Sequence, residues 1–371
     1  MKFTCETALL SSAVSNVQRA VTSKSSLATL EGILIRTNGN EVILSGYDLE
    51  IAMKTKISAD IDIEGCTVIN AKMIGEILRK LPADRVTIEI DDNNKALITS
   101  GTSEFSIIAL DANEYPELPT LEEDNDVKIP SDILRSMISQ TLFAVSVSDE
   151  RPIYKGILFE IEDSIIKLVS ADGCRLAIRK ENINTSENMR FVVPSKALQE
   201  VLKLISEDLE EDVTISVGKR HISFEIGNFI IISRLLEGEF LNYNNNSIIP
   251  EGSDTVVITE TKEFLNLIER ISLIISDRLK SPIRCTFKEN QVYMRCSTIM
   301  GKASDFLDCD ITGNEQEIGF NSRFFAEALR SVDTDKIKIT INGAQRPIKI
   351  EPLEGDSFLF IVVPVIMKAE N

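Results

Sequence analysis

One segment occurs three times in the 371 residues, and any fold for the chain has to accommodate the repetition. In the middle copy, Val192-Val193-Pro194 reads as a strand end and Ser195 to Ile205 as a helix, with Ser195 near its start. Apolar Leu198, Val201, Leu202 and Ile205 fall at the i, i+3, i+4, i+7 spacing of one buried helix face. The first copy is Val68-Ile69-Asn70 followed by 71–81, and the third is Ile318-Gly319-Phe320-Asn321 followed by 322–330. Each helix carries a basic residue near its start (Lys72, Lys196, Arg323) and another seven positions on (Arg79, Lys203, Arg330), with Glu76, Glu200 or Glu327 between them. The offsets between copies are 124 and 127 residues. Seven residues is about two helical turns, so each basic pair shares one face, opposite the apolar stripe. A single such helix reads as a solvated face laced by i,i+4 pairs. Three in one register read as an array that presents positive charge to one partner.

An earlier helix precedes each of these, over about 7–21, 130–141 and 261–275, and each follows a short strand at 2–5, 127–129 and 256–258. Paired strands come next: 30–35 and 41–49 in repeat one, 154–159 and 166–178 in repeat two, 283–287 and 291–295 in repeat three. Gly32 and Gly156 repeat the 124-residue period. Each repeat therefore reads β-α-β-β-β twice, an α+β pattern. Acidic or polar stretches at 121–126 and 249–254 place the domain boundaries, giving domains at 1–125, 126–250 and 251–371.

Charge divides along the same lines. The six helical segments with their nearest turns hold 14 basic and 7 acidic residues, although the chain as a whole is at −18. Asp277, Arg278 and Lys280 are counted among them. A polyanion facing only the helices is attracted, and one facing the strands and loops is repelled. No recognition-helix cluster or aromatic stacking motif is present, so such contact is with the backbone, sequence-independent and salt-sensitive. The single histidine, His221, lies in a strand-like stretch, and no CxxC, GxGxxG, P-loop or HExxH occurs, which leaves no ready catalytic centre and no cofactor or metal to expect. Most of the six cysteines have alternating apolar neighbours and read as strand residues of the core in a reducing compartment. There is no basic, apolar leader, and the longest apolar run, Phe358 to Met367, is too short to span a bilayer and contains Pro364; a cytoplasmic protein with no membrane partner is expected.

Several stretches carry a family resemblance: Met1-Lys2-Phe3, Ser45-Gly46-Tyr47-Asp48-Leu49-Glu50, Glu114-Tyr115-Pro116-Glu117-Leu118-Pro119 with its echo Gly238 to Tyr243, Ala171-Asp172-Gly173-Cys174-Arg175-Leu176-Ala177, and Val362-Val363-Pro364-Val365. In this order, on a threefold repeat, the chain resembles the bacterial DNA polymerase III β subunit, the β sliding clamp, over essentially its whole length. The resemblance implies the DNA clamp fold of three similar domains, with helices lining a ring and sheets outside. It implies a non-enzymatic processivity factor, a head-to-tail homodimer around duplex DNA that tethers the replicative polymerase, the clamp loader and other replication and repair proteins. Helices about 11 Å wide packed roughly 10 Å apart leave a bore of only ~8 Å for six and roughly 27 Å for twelve. Two chains are needed to admit a duplex.

By family position, Lys24 and Arg151 join Lys72, Arg79, Lys196, Lys203, Arg323 and Arg330 as phosphate contacts. The dimer contact maps to Phe105 and Ile107 on an edge strand and to Ile274 and Ile275 at a helix end. The pocket for short apolar partner peptides maps to Tyr154, Ala171, Gly173, Arg175, Leu176, Leu241, Pro347, Val362, Val363, Pro364, Val365 and Met367, with the arginine at its rim. Departures from the family pattern are Cys174 where histidine is frequent, Asn244-Asn245-Asn246 in a usually more basic loop, Ile366 where arginine is common, and the extension from Lys368 to Asn371. Two other readings compete: a protein-only scaffold of the same fold, and an enzyme holding metal in the acidic clusters at 121–126 and 206–213, which lack ligand spacing.

Overall fold

The computed structural model describes residues 1–121, 125–206, 211–275 and 281–367. Repeat one runs β1 (Lys2–Glu6), α1 (Thr7–Val17), β2 (Gly32–Asn38), β3 (Glu41–Tyr47), β4 (Ile51–Ser58), β5 (Asp60–Ile63), β6 (Cys66–Asn70), α2 (Ala71–Leu78), β7 (Arg85–Ile90), β8 (Lys95–Ser100) and β9 (Ser103–Ile108). Repeat two runs β10 (Asn125–Pro130), α3 (Ser131–Leu142), β11 (Gly156–Glu162), β12 (Ile165–Ala171), β13 (Arg175–Asn182), β14 (Met189–Pro194), α4 (Ser195–Leu204), β15 (Asp212–Val217), β16 (His221–Ile226) and β17 (Phe229–Arg234). Repeat three runs β18 (Thr255–Glu260), α5 (Thr261–Ser272), β19 (Ile283–Lys288), β20 (Gln291–Thr298), β21 (Gly301–Asp308), β22 (Asp310–Gly313), β23 (Gln316–Phe320), α6 (Ser322–Arg330), β24 (Lys336–Ile341), β25 (Ile348–Pro352) and β26 (Phe358–Val362). The β-α-β-β-β unit thus occurs twice per repeat, with one extra short strand, β5 or β22, in the outer two.

The stretch 166–178, read from sequence as one strand, is two. Asp172 Oδ1 accepts from the backbone N–H groups of Cys174 (2.9 Å) and Arg175 (3.0 Å), and Gly173 takes φ +89°, so the chain turns back on itself. The same turn follows β3, where Asp48 Oδ1 accepts from Glu50 and Ile51 N–H. Helices α2 and α6 are capped by asparagine: Asn70 Oδ1 accepts from Met73 N–H and Asn321 Oδ1 from Arg323 N–H. Gly32 and Gly156 recur for a steric reason. A Cβ would lie 2.4 Å from Val68 Cγ1 at the first and 2.5 Å from the Val193 carbonyl at the second.

The chain forms two compact units, one of Met1–Asp132 with Lys196–Leu235 and one of Ile133–Ser195 with Leu236–Asn371. The first holds a sheet in the order β5-β1-β7-β8-β9 and another in the order β10-β15-β16-β17-β4-β3-β2-β6. The second holds β14-β11-β12-β13-β26-β25-β24-β18-β22 and β21-β20-β19-β23. The second repeat is shared between them, because its strands continue a neighbouring repeat's sheet at two places. β17 pairs antiparallel with β4, from Phe229↔Thr55 to Ser233↔Ile51, and β26 pairs with β13, from Phe358↔Arg179 to Val362↔Arg175. The two pairings have one register, since Thr55 and Arg179, like Ile51 and Arg175, are 124 residues apart. In the second unit, α5 and α6 cover one face of the sheets with a core that includes Phe264, Leu267, Phe325, Ala177, Phe360 and Val362. A separate cluster on the opposite face of β11–β13 and β26 includes Leu158, Val169, Leu176, Ile178 and Ile361 under Phe240 and Tyr243.

Candidate nucleic-acid and partner-binding surfaces

On α2, Lys72, Glu76 and Arg79 are exposed while Ala71, Ile74 and Leu78 are buried, so the amphipathic reading of this helix holds residue by residue. Lys72 and Arg79, with Thr22, Ser23 and Asn70, line a cleft of about 470 Å³. Neither cation meets a carboxylate among the described residues. Lys24 is exposed in the loop beyond α1, its N–H on Thr22 Oγ1. Arg151 is exposed in the loop beyond α3, its guanidinium 5.9 Å from the centre of the Tyr154 ring.

The other four predicted cations are engaged within the protein. Lys196 Nζ lies 2.6 Å from Asp48 Oδ2 and 3.4 Å from Glu50 Oε2. Burial opposes its charge, yet the hydrogen bonds and charges of the two carboxylates leave its pKa raised. Lys203 pairs with Glu200 at 2.7 Å, Arg323 with Glu327 at 2.8 Å, and Arg330 with Glu269 at 2.7 Å. Glu200 is not the solvated acid that its helical position implies. It is 9% exposed, because Arg19 from the turn after α1 lies 3.0 Å from it. Exposed ion pairs contribute about 0–1 kcal/mol, the range for Arg330 with Glu269, whereas Lys196 and Lys203 pair with Asp48 and Glu200, whose side chains are only 10% and 11% exposed. Asp277, Arg278 and Lys280 lie outside the described residues.

The expected peptide pocket divides between the two faces of the sheet. Strand side chains alternate, so Arg175 and Val362, which oppose each other, lie on the helix-covered face, while Leu176 and Ile361 lie on the other. The expectation of Arg175 at a rim is therefore corrected. The residue is 7% exposed, with Nε donating to Asp172 Oδ2 at 2.9 Å and Nη1 donating to Glu327. Its guanidinium lies 4.6 Å and 5.5 Å from the ring centres of Phe324 and Phe143. Val362 is likewise buried in the helix-side core.

What remains on one surface is a floor of Ala171 and Leu176 with the half-buried Tyr154 and Leu241 beside it. Gly173 and Cys174 are exposed in the turn, and Val363 N–H donates to the Cys174 carbonyl at 2.9 Å, which brings the tail alongside that turn. Pro347 and Pro364 are half-buried. Val365 and Met367 run along β23 instead: Val365 N–H donates to the Gly319 carbonyl at 2.7 Å, and Met367 fills the space a Cβ on Gly319 would take. Ile366 projects outward, and Lys368 to Asn371 lie outside the described residues. In the Asn244–Asn246 loop, Asn245 Oδ1 accepts from Ser247 and Ile248 N–H, holding Ile248 and Ile249 against the cluster.

The residues expected at the dimer contact lie on one strand edge and after one helix. Phe105 and Ile107 are on β9, an edge strand, and Ile274 and Ile275 follow α5 as half-buried residues packed on the core. β21 is an edge strand too.

Family descriptions of the DNA polymerase III beta subunit match the chain in series: the N-terminal domain at 1–119, the central domain at 128–242 and the C-terminal domain at 246–366. The beta sliding clamp of Bacillus subtilis strain 168 is 33% identical over 378 residues, covering 98% of this chain and 99% of that protein. The beta sliding clamp of Staphylococcus aureus strain N315 is 30% identical over 376 residues, with 98% and 99% covered. The chain belongs to the family of bacterial DNA polymerase III β subunits, the β sliding clamps. The crystal structure of the Bacillus subtilis DNA polymerase sliding clamp superposes with a TM-score of 0.96 at 32% identity, covering 99% of this chain and all of that one. A putative DNA polymerase III beta subunit from Eubacterium rectale superposes at 0.94 with 33% identity over 99% and 100% of the two chains. The protein is accordingly a DNA polymerase processivity clamp, a non-catalytic component of DNA replication.

For this clamp, sequence reasoning missed the residues packed in one cluster with Ala171 and Leu176: Ile153, Leu158, Val169, Phe240, Tyr243 and Ile361. All five residues of Phe358–Val362 are apolar, so no sequence signal singled out Ile361. It also missed exposed apolar residues beside the edges: Ile108 next to Phe105 and Ile107, and Leu273, Ile299 and Met300 near Ile274 and the β20–β21 turn. Cys66 and Cys174 are exposed, and the other four cysteines are buried; all six are free thiols. Among the described residues no cluster of three or more His, Cys, Asp or Glu is placed to hold a metal. Parts of both acidic stretches proposed for metal, 122–124 and 207–210, lie outside the described residues. No described helix is long and apolar enough to cross a membrane.

Proposed function

We propose that two copies of this chain, each of three domains at 1–125, 126–250 and 251–371, close head to tail into a ring around duplex DNA. The observation that carries this reading is the repeated strand junction. The fourth β-strand of a repeat's first half, β4 or β13, pairs with the last strand of the next repeat, β17 or β26, in one register. The counterparts left over are β21 and β9, both edge strands among the described residues, with apolar residues beside them. The hairpins fix the correspondence: Glu41↔Ser58, Ile165↔Asn182 and Gln291↔Asp308 are equivalent, as are Ser100↔Ser103 and Ile226↔Phe229. Pairing β21 with β9 of a second copy in that register puts Ser103 opposite Asp305, Phe105 opposite Ala303 and Ile107 opposite Gly301. Phe105 then takes the inward position that Ile231 and Phe360 occupy in the other junctions. A heterologous contact of this kind closes when the rotation returns to its start, here after two copies and six repeats.

Inside such a ring Lys24, Lys72, Arg79, Arg151, Lys196, Lys203, Arg323 and Arg330 meet phosphates without reading bases, so the ring slides. The replicative polymerase, the clamp loader and repair proteins dock short apolar peptides on the surface of Tyr154, Ala171, Gly173, Leu176, Leu241, Val363 and Pro364, with Arg175 and Val362 supporting it from beneath. The protein works in the cytoplasm.

Light scattering tests the closure. The expected mass is twice the 41.3 kDa chain. Phe105→Cys with Ala303→Cys should give an intersubunit disulfide that the parent protein does not form. A monomer, or no cross-link from that pair, contradicts the reading.

A further inference from the structure

The outer face of the β21-β20-β19-β23 sheet differs from its counterpart in repeat two in a way that points to a second ligand. In repeat two, Leu158, Val169, Leu176 and Ile178 form an apolar floor roofed by the following segment through Phe240 and Tyr243. In repeat one the following segment is likewise held down: Leu110 bridges to Val68, the Glu114 carbonyl accepts from Thr29 Oγ1, and Tyr115 is buried. In repeat three, the described part of that segment follows β23 only, through Val365 and Met367 on Gly319. The matching hairpins place Arg284, Arg295 and Lys302 where repeat two has Leu158, Val169 and Leu176. The exchange runs the other way as well. Lys167 and Lys180, paired across β12 and β13, are replaced by Tyr293 and Phe306, paired across β20 and β21. Those two rings lie 5.6 Å apart and stay 41% and 51% exposed. Arg284 and Arg295 both reach Glu317, at 2.6 and 3.1 Å, and the exposed Lys302 adds a third cation to this face in a chain whose net charge is −18. At the hairpin end, Lys288 offsets Asp308, which accepts from Gln291.

We infer that this face is a docking surface for a short, extended, acidic peptide with an aromatic anchor, supplied by a partner protein. The anchor covers Tyr293 and Phe306, and its carboxylates meet Arg295 and Lys302. The two internal roofs show the chemistry: Asp111 to Leu118 reads Asp-Ala-Asn-Glu-Tyr-Pro-Glu-Leu, and Glu237 to Tyr243 reads Glu-Gly-Glu-Phe-Leu-Asn-Tyr, each with an acid directly before an aromatic residue. The surface lies on the opposite side of these strands from the α5 and α6 core and on a different sheet from the Leu176 floor.

The test is an anisotropy titration of the intact protein with fluorescein-labelled Glu-Gly-Glu-Phe-Leu-Asn-Tyr. Saturable binding is expected, weakened about tenfold or more by Arg295→Glu and by Phe306→Ser. Added salt should weaken it too, and Val363→Asp on the Leu176 side should leave it unchanged. Absence of saturable binding overturns the inference. So does equal affinity for Arg295→Glu, Phe306→Ser and the parent protein, or a loss confined to Val363→Asp. Duplex DNA that displaces the peptide, with DNA affinity itself reduced by Arg295→Glu, would assign the face to nucleic acid and overturn it as well.

Discussion

Replacing Arg175 by alanine separates a structural role for this residue from a direct peptide contact. Its side chain is 6% exposed and satisfies Asp172, at 14%, and Glu327, at 25%. Truncation leaves Asp172 without its cation, takes from Glu327 one of its two, and removes contacts with Phe143 and Phe324. Breaking one partner of a buried pair costs about 3–5 kcal/mol, and the partial exposure of Glu327 favours the lower end, about 3 kcal/mol. At about 2.1 cal/mol/K per residue, the unit of Ile133–Ser195 with Leu236–Asn371, about 200 residues, has an unfolding entropy near 0.4 kcal/mol/K. The midpoint should therefore fall by about 7 °C if that unit melts alone, and by about 4 °C if the whole chain melts together. Scanning calorimetry reads the shift, and a labelled polymerase peptide reads affinity well below the melting range. The account expects a large thermal shift in every case. An unchanged midpoint with lost peptide affinity would refute the buried role and return Arg175 to the rim.

Glu327 supplies a pH test: burial pushes its carboxyl up, but hydrogen bonds and charge from Arg175 and Arg323 hold it below the usual 4.5. A depressed carboxylate contributes stability above its unfolded value and loses it as pH falls through the folded one. Glu327→Gln should accordingly narrow the gap to the parent in melting temperature as pH drops below about 4.5; a gap that does not change with pH contradicts the pairing. Lys72→Ala with Arg79→Ala should lower the slope of log K for duplex DNA against log salt by about 2, whereas Lys203→Ala, already paired with Glu200, should lower it by less than ~1. Equal slopes would remove α2 from the DNA surface. Gly319→Val forces a Cβ to within 2.6 Å of Met367 Cγ and 2.9 Å of the Val365 carbonyl. It should cost about 1–3 kcal/mol and open the tail to carboxypeptidase, and an intact, protected tail would contradict the packing.

Much of this fold could be read from local signals. The apolar spacing of α2, α4 and α6 persists because each lays one stripe on a sheet, and Gly32 and Gly156 kept their spacing because both need contact without a Cβ. The turn at Asp172-Gly173 carried a hairpin signal in its Asp-Gly pair, yet the apolar run on both sides hid it. The strand faces were harder to read. Both neighbours of Val362 are apolar, so composition gave no hint that Val362 and Ile361 point to opposite faces. Partners distant in sequence were not legible at all: Asp48 meets Lys196 from 148 residues away and Glu327 meets Arg175 from 152. These contacts turn a row of apparently free cations into a mixture of free ones, on α2 and in the loops, and paired ones on α4 and α6. Repeat three matched weakly for a physical reason too, since its outer face exchanges apolar residues for Arg284, Arg295 and Lys302.

Retention on DNA bears most directly on encirclement. The protein is loaded by its clamp loader onto nicked circular duplex and freed of excess, and the amount bound is followed at moderate salt before and after one cut opens the circle. A two-copy ring stays on the closed circle and runs off the ends once they exist, and the Phe105→Cys/Ala303→Cys disulfide, formed after loading, prolongs the first phase without preventing the second. Loss at one rate from circle and line alike would mean that the protein holds DNA from one side.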